Sequence, residues 1–453
     1  AFDGVSTTTF GTASTGTSCV DGFRGTSAAT PHVTGAAALV KSANPSFDAA
    51  QIENYLEQHA TPKGTANEFG HGVLGMGPQQ TPQAPQGDTY QPLATPTRIL
   101  DTRTTNGGHF GKIGSGEIFT LTVPGLPADA TAVAINVTGT APTNNTHIDV
   151  FPVTYTGTST LNLVAKQTAA VFTMVRLGPN HTIKVRNQIG WTDAIVDLLG
   201  SFTPNGGATY VSKNPPERLL DTRTTNGGHL GMIGPGETFA LQVRGRAGVP
   251  DDATSVIVNV TGVNQTTSTY LEVYPSEPTD TSTLNLDGTS LRANLTAVGI
   301  GSDGKIRIHN LKGSLNVIVD LQGWFVPTGG ARFVAMDPMS RIVDTRTGTG
   351  LHLGWLKSGK TMDVQGSRLY GVPYNATAVA INLTVVYPKQ RTFLTAWPAG
   401  LPRPTTSNVN AMAGQTVPNA AVVGTGTNGM VSIFNDILGD THVVADIYGY
   451  FIP

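Results

Sequence analysis

The chain has 453 residues, room for three or four domains at about 100–200 residues each, yet charged residues make up only 13% and the net charge is −2. That balance offers no general attraction to a phosphate backbone or an anionic lipid surface and argues against nucleic acid as a partner. The single cysteine, Cys19, excludes a disulfide within the chain, and no apolar run approaches the ~18 residues that span a bilayer.

Residues 1–77 read as mixed α/β. After a Thr-rich extended stretch, a first helix is expected over about Ser27 to Ser42, with Val33, Ala36, Ala37 and Val40 on one face and Pro31 near its first turn, where a missing donor does least harm. A second follows in "NPSFDAAQIENYLEQHA", where Asp48 and Gln51 have the spacing of a capping box ahead of Ile52, Tyr55 and Leu56. "FGHGVLGMG" closes the segment. Residues 78–89 are Pro- and Gln-rich and read as a linker. Cys19 is expected to be a small buried residue, with pairing to a segment outside the chain and a reactive thiol as alternatives.

The remainder is a threefold repeat. "RILDTR" at Arg98 returns as "RLLDTR" at Arg218 and "RIVDTR" at Arg341, and Tyr90, Tyr210 and Phe333 each precede that arginine by eight residues. "AVAINVTG", "SVIVNVTG" and "AVAINLTV" recur inside the units, which end in "VDLLGSFTP", "VDLQGWFVP" and "ADIYGYFIP". The period is too long for a solenoid, so three tandem domains are expected at 90–205, 210–328 and 333–453. Short apolar runs separated by Gly, Pro, Asn and Thr give each the pattern of an antiparallel β-sandwich. Within "AVAINVTG", Val133, Ile135 and Val137 alternate with Ala134, Asn136 and Thr138, placing one set in a core and the other on a less apolar face.

"GTSAATPHVTGAAALV", Gly25 to Val40, admits two readings. Gly-Thr-Ser at a helix start is an ordinary N-cap. It is also how one class of hydrolase presents a serine whose oxyanion is met by helix N-terminal N–H groups. The longer string resembles the active-site serine segment of subtilisin-like serine proteases, and the likeness continues through the second helix and the glycine-rich close of residues 1–77. The resemblance implies an incomplete α/β subtilisin-like segment followed by three all-β sandwich-like repeat domains. It makes Ser27 the acylated nucleophile and its backbone N–H an oxyanion donor, with Thr26 beside that hole and Phe23 and Gly25 on the substrate cleft. Ala28 stands where many members carry an oxidisable methionine, which implies tolerance to peroxide.

In that family the catalytic aspartate and histidine precede the serine. Residues 1–26 contain no His and no Asn, and Asp3 and Asp21 lack the motif surroundings; His32, His59 and His71 lie after the serine and are assigned structural roles. The chain is therefore expected to be the C-terminal part of a larger secreted endopeptidase, nearly inactive alone, with no cofactor evident and protein or peptide substrates. Its end at Pro453 matches Pro204 and Pro327 and reads as a completed unit. The alternative is a non-catalytic extracellular adhesion or glycan-binding protein with a relic protease segment.

For the repeats, the plain expectation is a structural ion network, for instance Arg103 with Asp197, and correspondingly Asp320 and Asp446. A ligand site around His109, His229 and His352 is the sharper alternative, although calcium wants clustered carboxylates that these loops lack. Trp191, Trp324 and Tyr448 offer a sugar-stacking surface, or core packing. Asn-x-Thr triplets at Asn136, Asn259 and Asn382 resemble glycosylation acceptors, but their strand register favours polar residues on a sheet face.

Overall fold

The computed structural model describes residues 5–10, 17–23, 26–44, 47–63, 65, 71–75, 86–288 and 290–453, with side chains from Thr30 onward. It divides into two compact units, 1–85 and 86–453. Most of the linker expected at 78–89 lies outside the described residues.

In the first unit, β1 (Val5–Phe10) pairs antiparallel with β2 (Thr17–Phe23). Helix α1 (Thr26–Ala43) starts three residues after β2 ends, and α2 (Ala49–Gln58) follows. The capping box forms: Asp48 Oδ1 accepts the Gln51 N–H, and Gln51 Oε1 accepts the Asp48 N–H, both at 2.8 Å. Ala36, Val40 and Leu56 make the buried contact between the helices. Val33, expected on that buried face, is instead 46% exposed, as is Leu39 at 47%.

In the second unit the first repeat supplies β3 (Thr89–Asp101), β4 (Ile118–Thr122), β5 (Ala132–Thr140), β6 (Thr146–Phe151), β7 (Leu161–Leu163), β8 (Thr168–Arg176), β9 (Thr182–Asn187) and β10 (Asp193–Thr203). They form two four-stranded antiparallel sheets, β3-β10-β5-β8 and β4-β9-β6-β7. Leu121, Val133, Ile148, Leu161, Val171 and Ile183, from both sheets, share one buried core. The same strand order recurs in the second and third repeats, making six small sheets in a ring.

The sheet that holds β5 is buried on both faces there, the less apolar one included. Ala134, Asn136 and Thr138 are no more than 3% exposed, because neighbouring repeats cover them. A second core, drawn from all three repeats, fills the centre of the ring. Six aromatic rings there form a closed cycle. Tyr90 meets Phe202 at 5.0 Å, Phe202 meets Phe333 at 4.5 Å, Phe333 meets Phe451 at 5.1 Å, Phe451 meets Tyr210 at 4.3 Å, Tyr210 meets Phe325 at 5.3 Å, and Phe325 returns to Tyr90 at 4.6 Å. Each such pair contributes about 0.5–1.5 kcal/mol beyond its burial.

The rings sit on Gly200, Gly323 and Gly449, where a Cβ would come within 2.5 Å of the Tyr90 hydroxyl, 2.3 Å of the Tyr210 hydroxyl and 2.3 Å of a Phe333 ring carbon. That is why each closing strand carries glycine at this point. Backbone bridges Tyr90–Ala208, Tyr210–Ala331 and Asp88–Phe333 join the repeats cyclically. The third bridge ties the residues just ahead of the first repeat to the third repeat. The expected three bodies in tandem are thus joined as one compact unit.

Candidate active site and repeat junctions

Ser27, the candidate nucleophile, lies at the start of α1, which follows β2 in the chain. Phe23 ends the strand, while Thr26 and Ser27 occupy the first helical turn. Their side chains, and Gly25 altogether, lie outside the described residues. Two chemical consequences follow from the backbone alone. The first N–H groups of a helix have no intrahelical acceptor and carry a partial positive charge, so an oxyanion forming at this turn meets donors. Pro31 cannot donate to the Ser27 carbonyl four residues back, which leaves that carbonyl without its helical partner. His32 is exposed on α1. His59 stacks on Tyr55 at 4.2 Å with Nδ1 2.8 Å from the Tyr55 carbonyl, and His71 Nε2 lies 3.2 Å from Glu57.

Each Asp-Thr-Arg motif leaves its strand in a turn instead of lying along it, and the expected Arg103–Asp197 pair is corrected. Asp101 accepts the Arg103 backbone N–H at 3.1 Å and grips its guanidinium through two bonds of 2.8 and 2.7 Å. The acid of the closing strand is met by the first arginine of the motif: Arg98 reaches Asp197 at 2.9 Å, Arg218 reaches Asp320 at 2.8 Å and Arg341 reaches Asp446 at 2.8 Å. Arg223–Asp221 and Arg346–Asp344 repeat the local grip at 2.7 Å.

The two acids of each cluster titrate oppositely. The Arg103 and Arg223 hydrogen bonds hold the Asp101 and Asp221 carboxyls below the ordinary value. For Asp344 burial works upward, but Arg346 outweighs it and the carboxyl is again lowered. Burial raises Asp197, Asp320 and Asp446 against the pull of their arginines.

The asparagines expected on a sheet face are junction residues. Asn136 Nδ2 donates to the Ser282 carbonyl at 2.6 Å, Asn259 to that of Ser407 at 2.6 Å, and Asn382 to that of Ser159 at 2.7 Å, so each repeat grips the next and the third grips the first. Buried at 3%, 0% and 8% exposure, they are closed to glycan attachment.

His109 and His352 are held locally, by Glu117 and by the Asp363 carbonyl at 2.8 Å each, and His229 Nε2 lies 4.0 Å from Glu237. Among the described residues no group of three or more His, Cys, Asp or Glu is placed to hold a metal. Of the candidate stacking residues, Trp191 is 56% exposed and Trp324 packs against the second repeat's core. Tyr448 is 3% exposed and belongs to the central core, the core-packing alternative of the two expected for it.

Residues 1–72 match a family model described as the subtilase family. Subtilisin Savinase of Lederbergia lenta is 56% identical over 52 residues, 12% of this chain and 19% of that protein. Alkaline elastase YaB of Bacillus sp. (strain YaB) is 54% identical over 52 residues, 12% and 14% of the two chains. Subtilisin of Bacillus pumilus is 44% identical over 54 residues, 12% and 20%. The chain thus spans about a fifth or less of these relatives. A solved chain described under the triple jelly roll fold and turret assembly in an archaeal virus aligns over 81% of this chain and 98% of its own, at 10% identity and a TM-score of 0.16, too low to bear on the fold. Among the described residues no helix is long and apolar enough to cross a membrane.

Proposed function

We propose that the chain is the C-terminal part of a secreted subtilisin-like serine endopeptidase whose β-unit attaches or positions the enzyme on a surface or polymer. The carrying observation is the string Gly25 to Val40, which runs into α1, within the 72 residues that match the subtilase model. In this reading the Ser27 Oγ attacks the scissile carbonyl of a peptide while its proton passes to a histidine supplied from outside these residues and oriented by an aspartate. The C–N bond breaks, the amine leaves with that proton, and the acyl-ester is later hydrolysed by water. The Ser27 N–H at the start of α1 supports the oxyanion, with Thr26 beside it, and Phe23 and Gly25 line the cleft. The exposed apolar side chains Val33 and Leu39 on α1 suit a helix that packs into a larger catalytic domain.

The test is fluorophosphonate labelling of the native protein, with mapping of the modified peptide. Label on Ser27, abolished in Ser27→Ala, is expected in a species larger than 47.2 kDa. An unlabelled Ser27 in a species of this chain's own mass, where a control protease labels, overturns the reading and favours the non-catalytic binding protein.

A further inference from the structure

The three repeat junctions share one plan but not one surface. Between the second and third repeats a cleft of about 350 Å³ is lined by Arg218, Arg223, Thr261, Arg391, Thr406 and Asn410 among others, at the low end of the ~300–1,000 Å³ of small-molecule sites. An adjoining cavity of about 200 Å³ shares Val263, Asn264, Leu291 and Arg391 with it, so Arg391 stands where the two meet. The wall of the larger cleft is rich in hydroxyl and amide side chains. Asn264, Thr405, Ser407 and Asn410 supply polar side chains of that wall, while the Thr261 and Thr406 hydroxyls are buried beneath it.

The charges are not all balanced internally. Arg218 and Arg223 are matched by Asp320 and Asp221, although Arg223 leaves one terminal nitrogen without a bond. Arg391 is exposed and makes no ion pair or hydrogen bond among the described residues, and Asp436 on the same wall does not pair with it. Its place is not required by the fold. The threonine that follows it bonds Asn435 in the third repeat as Thr269 bonds Asn310 and Thr146 bonds Asn187, yet the preceding residue is Ser268 in the second repeat and Asn145 in the first. An arginine at this one junction stands between a cleft walled by threonines and a smaller cavity carrying Asn264, Gln265 and Ser290.

We infer that the cleft between the second and third repeats binds a carboxylate-bearing saccharide, as a unit of an acidic polysaccharide. Arg391 receives the carboxylate, the threonine and asparagine wall takes ring hydroxyls, and Phe393, also on the cleft wall and half-buried, offers an apolar face to the sugar ring. The adjoining cavity accommodates the next sugar. The site lies wholly in the β-unit and stands or falls independently of Ser27 chemistry.

The experiment is calorimetric titration of the full chain with a galacturonic acid trimer and with maltotriose as the neutral counterpart. Saturable binding of the charged trimer is expected, with the neutral one weaker. Arg391→Ser, which installs the second repeat's residue, should lower affinity for the charged trimer roughly tenfold or more at an unchanged unfolding midpoint. No saturable binding, equal affinity in Arg391→Ser, or tighter binding of a peptide with a free C-terminal carboxylate overturns the assignment.

Discussion

Replacing Asn294 by valine tests whether the polar seams between repeats hold the ring. Asn294 is 0% exposed. Its Nδ2 donates to Asn136 Oδ1 of the preceding repeat at 2.8 Å and to the Thr283 carbonyl at 2.6 Å, and its Oδ1 accepts the Phe172 N–H at 2.8 Å. Asn419 does the same one junction on, to Asn259 at 2.8 Å and from the Leu295 N–H at 3.1 Å. At the third junction the equivalent residue is Val171, and the Asn382 Oδ1 is buried without a protein partner. Valine therefore fits this backbone position. In Asn294→Val, Asn136 Oδ1 and the Phe172 N–H lose their partner at ~1–3 kcal/mol each, and the Thr283 carbonyl falls back on Asn136 Nδ2 at 3.4 Å; burying valine offsets ~1.5–3 kcal/mol. The net expectation is a loss of about 2 kcal/mol.

All four tryptophans, 191, 324, 355 and 397, lie in the repeats, so their fluorescence in a urea titration reports this unit alone. In an Asn136→Ala background the same substitution should cost less, since one stranded group is already gone. An unchanged or higher midpoint for Asn294→Val, or full additivity with Asn136→Ala, would refute the view that the seam is stabilising.

Two further outcomes follow from the arginine clusters. Asp320→Ala removes the partner of Arg218 and the acceptor of the Ser407 N–H at 3.2 Å across the junction. Because Arg218 keeps Asp221 at 3.4 Å and reaches the cleft, the cost is that of the lost hydrogen bonds, ~1–3 kcal/mol, read as a lowered melting temperature; an unchanged value refutes the pairing. On the acid side, Asp101, Asp221 and Asp344 have folded values below the ordinary 3.8, so the stability they lend is present above 3.8 and lost as pH falls through the lowered values. Asp197, Asp320 and Asp446 are raised, so their contribution is present below 3.8 and lost as pH rises through the raised values. Site-resolved carboxyl titration by NMR should place the first three below 3.8 and the second three above it; the reverse order would contradict the assigned partners.

The helices of the first unit were legible because their signals are local. A turn, a helix start and Asp48 with Gln51 are read from neighbours in the chain, and the capping box formed as spaced. The repeat was legible in its landmarks but not in their use. Tyr90, Tyr210 and Phe333, with the glycine and phenylalanine of each closing strand, recur because they meet at one axis, yet alternation along β5 says only that one face is less apolar, not what covers it. Burial by neighbouring repeats leaves no mark on a period of two when the second face is small or polar, as Ala134, Asn136 and Thr138 are. The arginine partner was misassigned for a similar reason. Arg103 lies nearer the eye in the short motif, but its own Asp101 is two residues away and closes the turn, leaving Arg98, the first letter of the recurring hexapeptide, to cross to Asp197.

The ring also explains how one sequence pattern yields three unequal junctions. Closure makes the central positions interdependent: a larger residue at Gly200 or a smaller one at Phe333 disturbs rings belonging to two repeats, so the axis tolerates little divergence. The periphery of each junction is freer, because it meets only one neighbour. There the three copies differ, with asparagine, asparagine and valine at the seam, and asparagine, serine and arginine at the cleft mouth. The seam with valine joins the last repeat to the first, where the Asp88–Phe333 bridge adds backbone pairing. The cleft with arginine lies between the second and third repeats, where Asn259, Asn419 and the Asp320 contact to Ser407 hold the walls together. A binding site thus falls at a junction with a complete seam, since a cleft between two bodies keeps its geometry only if the bodies are fixed.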